Sequence, residues 1–217
     1  MKYAVIFDLD GVLIDSIGML WQVWREEFKL YGPKLSKKEF SRYIGMSLRD
    51  ALIDRNKKYG LNIDLQSFSK ESWEMQLKLI KKLKPDKKLI GFLKELKSHN
   101  IPLGIGTNSP MFRTEKILDI LKIKKYFSAI VTVSHIERHK PHPDIFLETA
   151  RKLKVKPENC IVFEDAPNGI EAAKRGKMKS IGRLTKHNTK KELKNADLII
   201  KDFSEVSYSV LEKLINS

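Results

Sequence analysis

The chain has 217 residues, 41% of them hydrophobic and 32% charged, with a formal charge of +15 at pH 7. That length and composition suit a soluble globular protein with a real core, and no stretch is apolar for long enough to span a membrane. The positive charge does not mark a nucleic-acid binder: residues 15–84 carry a net +6 and the remainder +9, and no block interleaves aromatics with base-reading side chains.

The apolar run Tyr3-Ala4-Val5-Ile6-Phe7 predicts a first strand, and it leads straight into Asp8-Leu9-Asp10-Gly11. Residues i and i+2 of a strand point the same way, so the two carboxylates share one small space as the strand ends. Like charges that close need a cation or a proton between them. A bare Asp-x-Asp is also what an ordinary polar turn looks like. Asp8 comes too early for a complete signal-peptide apolar region, and the single Cys160 rules out an internal disulfide. Both point to a cytoplasmic protein, with Cys160 as a buried core residue.

After Asp15 the hydrophobic period becomes helical. Ile17, Leu20, Trp21, Trp24 and Phe28 predict a helix that Gly32-Pro33 stops. Ser36-Lys37-Lys38-Glu39 is a capping-box string for a second helix. Ser47 opens a third, ended by Gly60, and a fourth runs through Phe68, Trp73, Leu77, Ile80 and Leu83 to Pro85. The three tryptophans read as the core of this four-helix stretch. From Lys87 onward helices alternate with short apolar strands at 102–107, 129–133, 160–163, 179–182 and 198–200. This is the pattern of a parallel sheet covered on both faces, whose chemistry gathers beyond the carboxyl ends of the strands.

Those strand ends carry polar strings. The second gives Thr107-Asn108-Ser109 at a helix start, either an ordinary cap or an anion-binding turn. The third is followed by Lys140-Pro141-His142-Pro143, where two prolines restrict the backbone around one lysine. The fourth ends in Glu164-Asp165, a second pair of adjacent carboxylates.

The string from Phe7 to Ser16 resembles the signature of the haloacid dehalogenase superfamily, the phosphoaspartate hydrolases. The four strings together resemble that family's four motifs in the right order. The resemblance implies a Rossmann-like α/β core over residues 1–15 and 85–217, with a helical cap over 16–84 inserted early in the chain. It implies Asp8 as nucleophile, Asp10 as general acid/base, and Thr107, Asn108 and Lys140 as phosphate-binding groups, with Lys140 also fixing the nucleophile. It further implies Mg²⁺ held by Asp8, Asp10, Glu164 and Asp165. The chemistry is consistent with these residue types. A carboxylate 4 Å from a phosphate of about −1.5 to −2 charge is repelled by roughly 6–8 kcal/mol at an effective dielectric near 20. A divalent cation and an ammonium offset that.

Family dehalogenases lack an acid at the position of Asp10, so the expected activity is a Mg²⁺-dependent phosphatase. It would act as a monomer on a small phosphorylated metabolite, with no nucleic-acid or membrane partner. The alternative is a phosphosugar mutase like β-phosphoglucomutase, but those enzymes place a histidine where this chain has Leu20. Ser47 and Arg49 are the expected specificity residues in the cap. His139 replaces a glycine common in relatives, and Lys177 occupies a helix-end position usually given to glycine.

Overall fold

The computed structural model describes residues 3–81 and 86–217. Its centre is a six-stranded sheet built from β1 (Ala4–Phe7), β2 (Leu103–Gly106), β3 (Ala129–Val131), β4 (Cys160–Glu164), β5 (Lys179–Arg183) and β6 (Leu198–Ile200). The order is β3-β2-β1-β4-β5-β6, and every neighbouring pair is parallel. Strand order therefore switches direction at β1, which lies between β2 and β4. That is where a crevice opens at the strand ends in such sheets.

Alternation along the strands divides the core. Val5, Phe7, Leu103, Ile105, Ile161 and Phe163 face one layer, formed by α5 (Lys87–Ser98), α6 (Met111–Ile120) and α9 (Tyr208–Ile215). Ala4, Ile6 and Val162 face the other, formed by α7 (Asp144–Leu153) and α8 (Pro167–Arg175). Cys160 belongs to this second layer, fully buried as expected, and burial pushes its thiol up to about 12. The helix α9 is unanticipated from the sequence. Lys177 does adopt the left-handed conformation its position demands, with φ 58°.

Between β1 and α5 run α1 (Ile17–Glu27), α2 (Lys37–Tyr43), α3 (Leu48–Tyr59) and α4 (Leu65–Ile80). The expected tail of the fourth helix at Leu83, and the expected boundary at 84–85, lie outside the described residues. Residues 17–68 form a hydrophobic cluster of their own, including Ile17, Trp24, Phe28, Phe40 and Phe68. Ser36 caps α2 by accepting from the Glu39 N–H at 3.1 Å, but only half of a capping box is made. The Glu39 carboxylate turns inward to Arg55 at 2.8 Å. That guanidinium is fully buried against the Phe28 ring, so charge and aromatic surface are satisfied together. Ser47 and Gly60 cap α3 as predicted, Gly60 at φ 64°. No helix among the described residues is long and apolar enough to cross a membrane.

Candidate active site

The end of β1 is held in place by pairing that continues one residue past the strand, with the Asp8 N–H donating to Phe163 O at 2.9 Å. The chain then turns at Gly11, φ 79°, where a Cβ would lie 1.9 Å from Asp165 Oδ2. A glycine is required there by both conformation and space. The turn brings the carboxylates after β1 against those after β4.

Lys140 lies between them. Its ammonium donates to Asp8 Oδ1 at 2.7 Å and to Glu164 Oε1 at 2.6 Å, and it lies over the Phe146 ring. Asp8, Lys140, Glu164 and Asp165 are all buried, at 6%, 5%, 1% and 3% exposure. Asp8, Glu164 and Asp165 each offer an oxygen within 4.8 Å of the others, so one ammonium faces three carboxyl groups. Burial pushes the Asp8 carboxyl up to about 7; Lys140 opposes the rise, and Glu164 and Asp10 add to it. Burial, then Glu164 and Asp8, hold Asp165 well above the usual carboxylate range. Burial alone would lower the Lys140 ammonium, but Asp8 and Glu164 outweigh it and the ammonium is raised. Asp165 Oδ2 is buried with no hydrogen-bond partner. An orphaned oxygen beside two further carboxylates is a donor set that fits a hard divalent cation. Glu164 fits it least, since its second oxygen already accepts from the Asp165 and Ala166 N–H groups at 2.8 and 2.9 Å.

The Asp10 carboxylate stands apart from this group, so a part for Asp10 in holding a metal would fall to its backbone carbonyl. Arg113 grips both of its oxygens, Nη1 and Nη2 each at 2.7 Å. The Ser109 hydroxyl donates at 2.6 Å and the Ser16 hydroxyl donates as well. Burial would raise the carboxyl, yet Arg113 and the two hydroxyls outweigh it and hold Asp10 below its ordinary value. With four donors already aimed at it, that carboxylate has little left for a metal. Arg113 also donates through Nε to Gln76 Oε1 on α4 at 2.7 Å. Neither Arg113 nor Gln76 was foreseen. Helical spacing gave no signal for them, since Ser109 precedes the Pro110 cap of α6.

Thr107 and Asn108 follow β2. Thr107 is buried, and its hydroxyl accepts from the Ser109 N–H at 3.1 Å. Asn108 Nδ2 donates to Gly45 O at 3.1 Å, tying the strand end to the helical stretch, while its Oδ1 is buried and unpartnered. Asp8, Asp10, Thr107, Asn108 and Lys140 line one cavity of about 90 Å³, roofed by residues 17–76.

Neither expected specificity residue, Ser47 or Arg49, lines this cavity itself. Ser47 is buried as the cap of α3, accepting from the Asp50 N–H and donating to the Asp50 carboxylate. Ser47 and Arg49 line an adjoining cavity beside His139, which shares Leu48, Ser69, Asn108 and Pro110 with the first. Capping α3 engages the Ser47 hydroxyl. His139 Nδ1 lies 2.8 Å from Asp50, joining the loop before α7 to α3.

A family model described as haloacid dehalogenase-like hydrolase matches residues 5–183. A phosphorylated carbohydrates phosphatase of Thermotoga maritima is 29% identical over 214 residues, covering 98% of this chain and 99% of that protein. The β-phosphoglucomutase of Bacillus subtilis is 31% identical over 219 residues, covering 97% and 94%. Among solved structures, a β-phosphoglucomutase from Clostridium difficile superimposes with a TM-score of 0.87 at 29% identity, over 100% of this chain and 98% of that one.

Proposed function

Since the chain belongs to the haloacid dehalogenase-like hydrolases, we propose that it is a Mg²⁺-dependent phosphatase of small phosphomonoesters. It acts as a cytoplasmic monomer, with residues 16–84 capping a catalytic core of 1–15 and 85–217. The observation that carries this reading is the meeting of Asp8, Asp10, Thr107, Asn108 and Lys140 around one cavity at the strand ends.

Asp8 attacks the phosphorus and the ester P–O bond breaks, leaving the phosphoryl group on Asp8. Asp10, which must first take up a proton in exchange for its bonds to Arg113, gives that proton to the departing oxygen. In the second half a water attacks the phosphorus, Asp10 takes its proton, and the bond to Asp8 breaks to release phosphate. The ionised Asp10 gripped by Arg113 is the form suited to that second half. Lys140 keeps Asp8 aimed and offsets its charge, while Thr107 and Asn108 contact the phosphoryl oxygens. Asp8 and Asp165, with Glu164 beside them, would hold Mg²⁺, which when bound would supply the positive charge that lets an anionic ester approach a carboxylate.

A mutase needs groups that hold a phosphosugar in two orientations. Leu20 lines the cavity where mutases carry histidine, and no histidine lines it among the described residues. This favours hydrolysis. The test is p-nitrophenyl phosphate turnover: Asp8→Asn should lower it at least about 10³-fold, and EDTA should abolish it. Full activity in Asp8→Asn overturns the reading. Interconversion of β-glucose 1-phosphate and glucose 6-phosphate with a bisphosphate activator would establish the mutase instead.

A further inference from the structure

Which alcohol leaves with the phosphate is decided by the wall opposite the carboxylates, and the inference rests on the phosphatase reading above. From residues 17–80, that wall presents Leu20, Trp24, Phe40, Ile44, Met46 and Trp73. Its polar side chains are few and largely engaged. The Tyr43 hydroxyl lies 2.9 Å from Asp54 and 3.0 Å from Glu39. Gln76 accepts from Arg113 and donates to Ser72 Oγ at 3.0 Å, which leaves the Ser69 hydroxyl. No Lys, Arg or His of this stretch lines the cavity among the described residues. Both lining cations, Lys140 and Arg113, come from the sheet side and are bonded to carboxylates.

A sugar or polyol carried against such a wall buries several hydroxyls with only the Ser69 hydroxyl and Asn108 Oδ1, among the described residues, free to bond them, whereas an alkyl chain or apolar ring loses nothing on leaving water. We infer that this site selects phosphomonoesters of apolar alcohols and that polyhydroxylated sugar phosphates are its poor substrates. This departs from what the names of its relatives suggest. Filling the same wall with polar side chains is the alternative way to build such a cavity, and this chain does not take it.

The test compares two esters with one heavy-atom skeleton, 2-methylbutyl phosphate and glycerol 3-phosphate, which differ by two methyls in place of two hydroxyls. Both release a primary alcohol. A hydrophobic pocket disfavours a single added hydroxyl by about 10²-fold, so kcat/KM should favour the alkyl ester by at least about 10²-fold. Glucose 6-phosphate should fall with glycerol 3-phosphate. Equal or better use of either hydroxylated ester overturns the inference and leaves the phosphatase reading standing. So does turnover of p-nitrophenyl phosphate with neither member of the pair used. No turnover of any ester overturns the phosphatase reading itself. Leu20→Asn, shown to be folded by its melting temperature, should narrow the ratio about tenfold by adding a partner for a hydroxyl. An unchanged ratio in that folded variant overturns the role of the wall.

Discussion

The sheet side of the cavity carries Asp8, Asp10, Thr107, Asn108 and Lys140, each hydrogen-bonded to a neighbour, whereas the helical side facing it presents Leu20, Trp24, Phe40 and Met46. The charged side is balanced within itself, Lys140 against Asp8 and Glu164, and Arg113 against Asp10. It therefore makes little electrostatic demand on the helices, and their wall can be apolar without stranding a buried charge. On the proposed reading, chemistry and substrate choice sit on separate stretches of chain. Gln76, bonded to Arg113, links the helical side to the group that grips Asp10.

The largest expected break in this arrangement is Lys140→Met. It leaves Asp8 and Glu164 buried beside each other with no cation from the protein, and removing one partner of a buried pair costs about 3–5 kcal/mol. Turnover should fall at least about 10³-fold, and the melting temperature should drop by roughly 6–20 °C. Turnover within tenfold of the parent would mean that the ammonium is not what holds the charged side together. A smaller break is Arg113→Lys, which keeps the charge but cannot grip both Asp10 oxygens and Gln76 at once. We expect kcat for an alkyl phosphate to fall roughly 10–10²-fold with KM nearly unchanged, the usual penalty for a misplaced reacting group. A matching rise in KM with kcat intact would show that Arg113 binds substrate rather than positions Asp10.

The charged side was legible in the sequence because each of its groups lies in a short string after a strand, and the strings together resemble one family's motifs. Asp8, Asp10, Thr107, Asn108 and Lys140 needed no knowledge of packing. Arg113 and Gln76 did: they meet only because α4 lies against α6, a tertiary fact with no local signature. At Ser47 the helix start was legible from the capping residue, and Ser47 and Arg49 line the cavity adjoining the site. The prominent polar residues of the helical stretch serve caps and the buried Glu39–Arg55 pair, leaving its apolar residues to line the cavity.

Glu27, behind the apolar wall, sharpens the contrast with the balanced carboxylates. It is 1% exposed, and both of its oxygens are buried without a hydrogen-bond partner. Burial pushes its carboxyl up from 4.5 to about 8, the neighbouring Ser72 hydroxyl offsetting only part of that rise. Below pH 4.5 the group is protonated in folded and unfolded chains alike and costs nothing. Between 4.5 and 8 the unfolded chain releases the proton while the folded one keeps it, so stability must fall as pH rises. The slope from this one group reaches at most about 1.4 kcal/mol per pH unit and vanishes above pH 8. Glu27→Gln keeps the shape and removes the titration, so denaturant midpoints measured from pH 5 to 8 should lose that part of their decline. The same slope in parent and variant would show that Glu27 finds a partner in solution and that the helical wall is better balanced than its hydrogen bonds indicate.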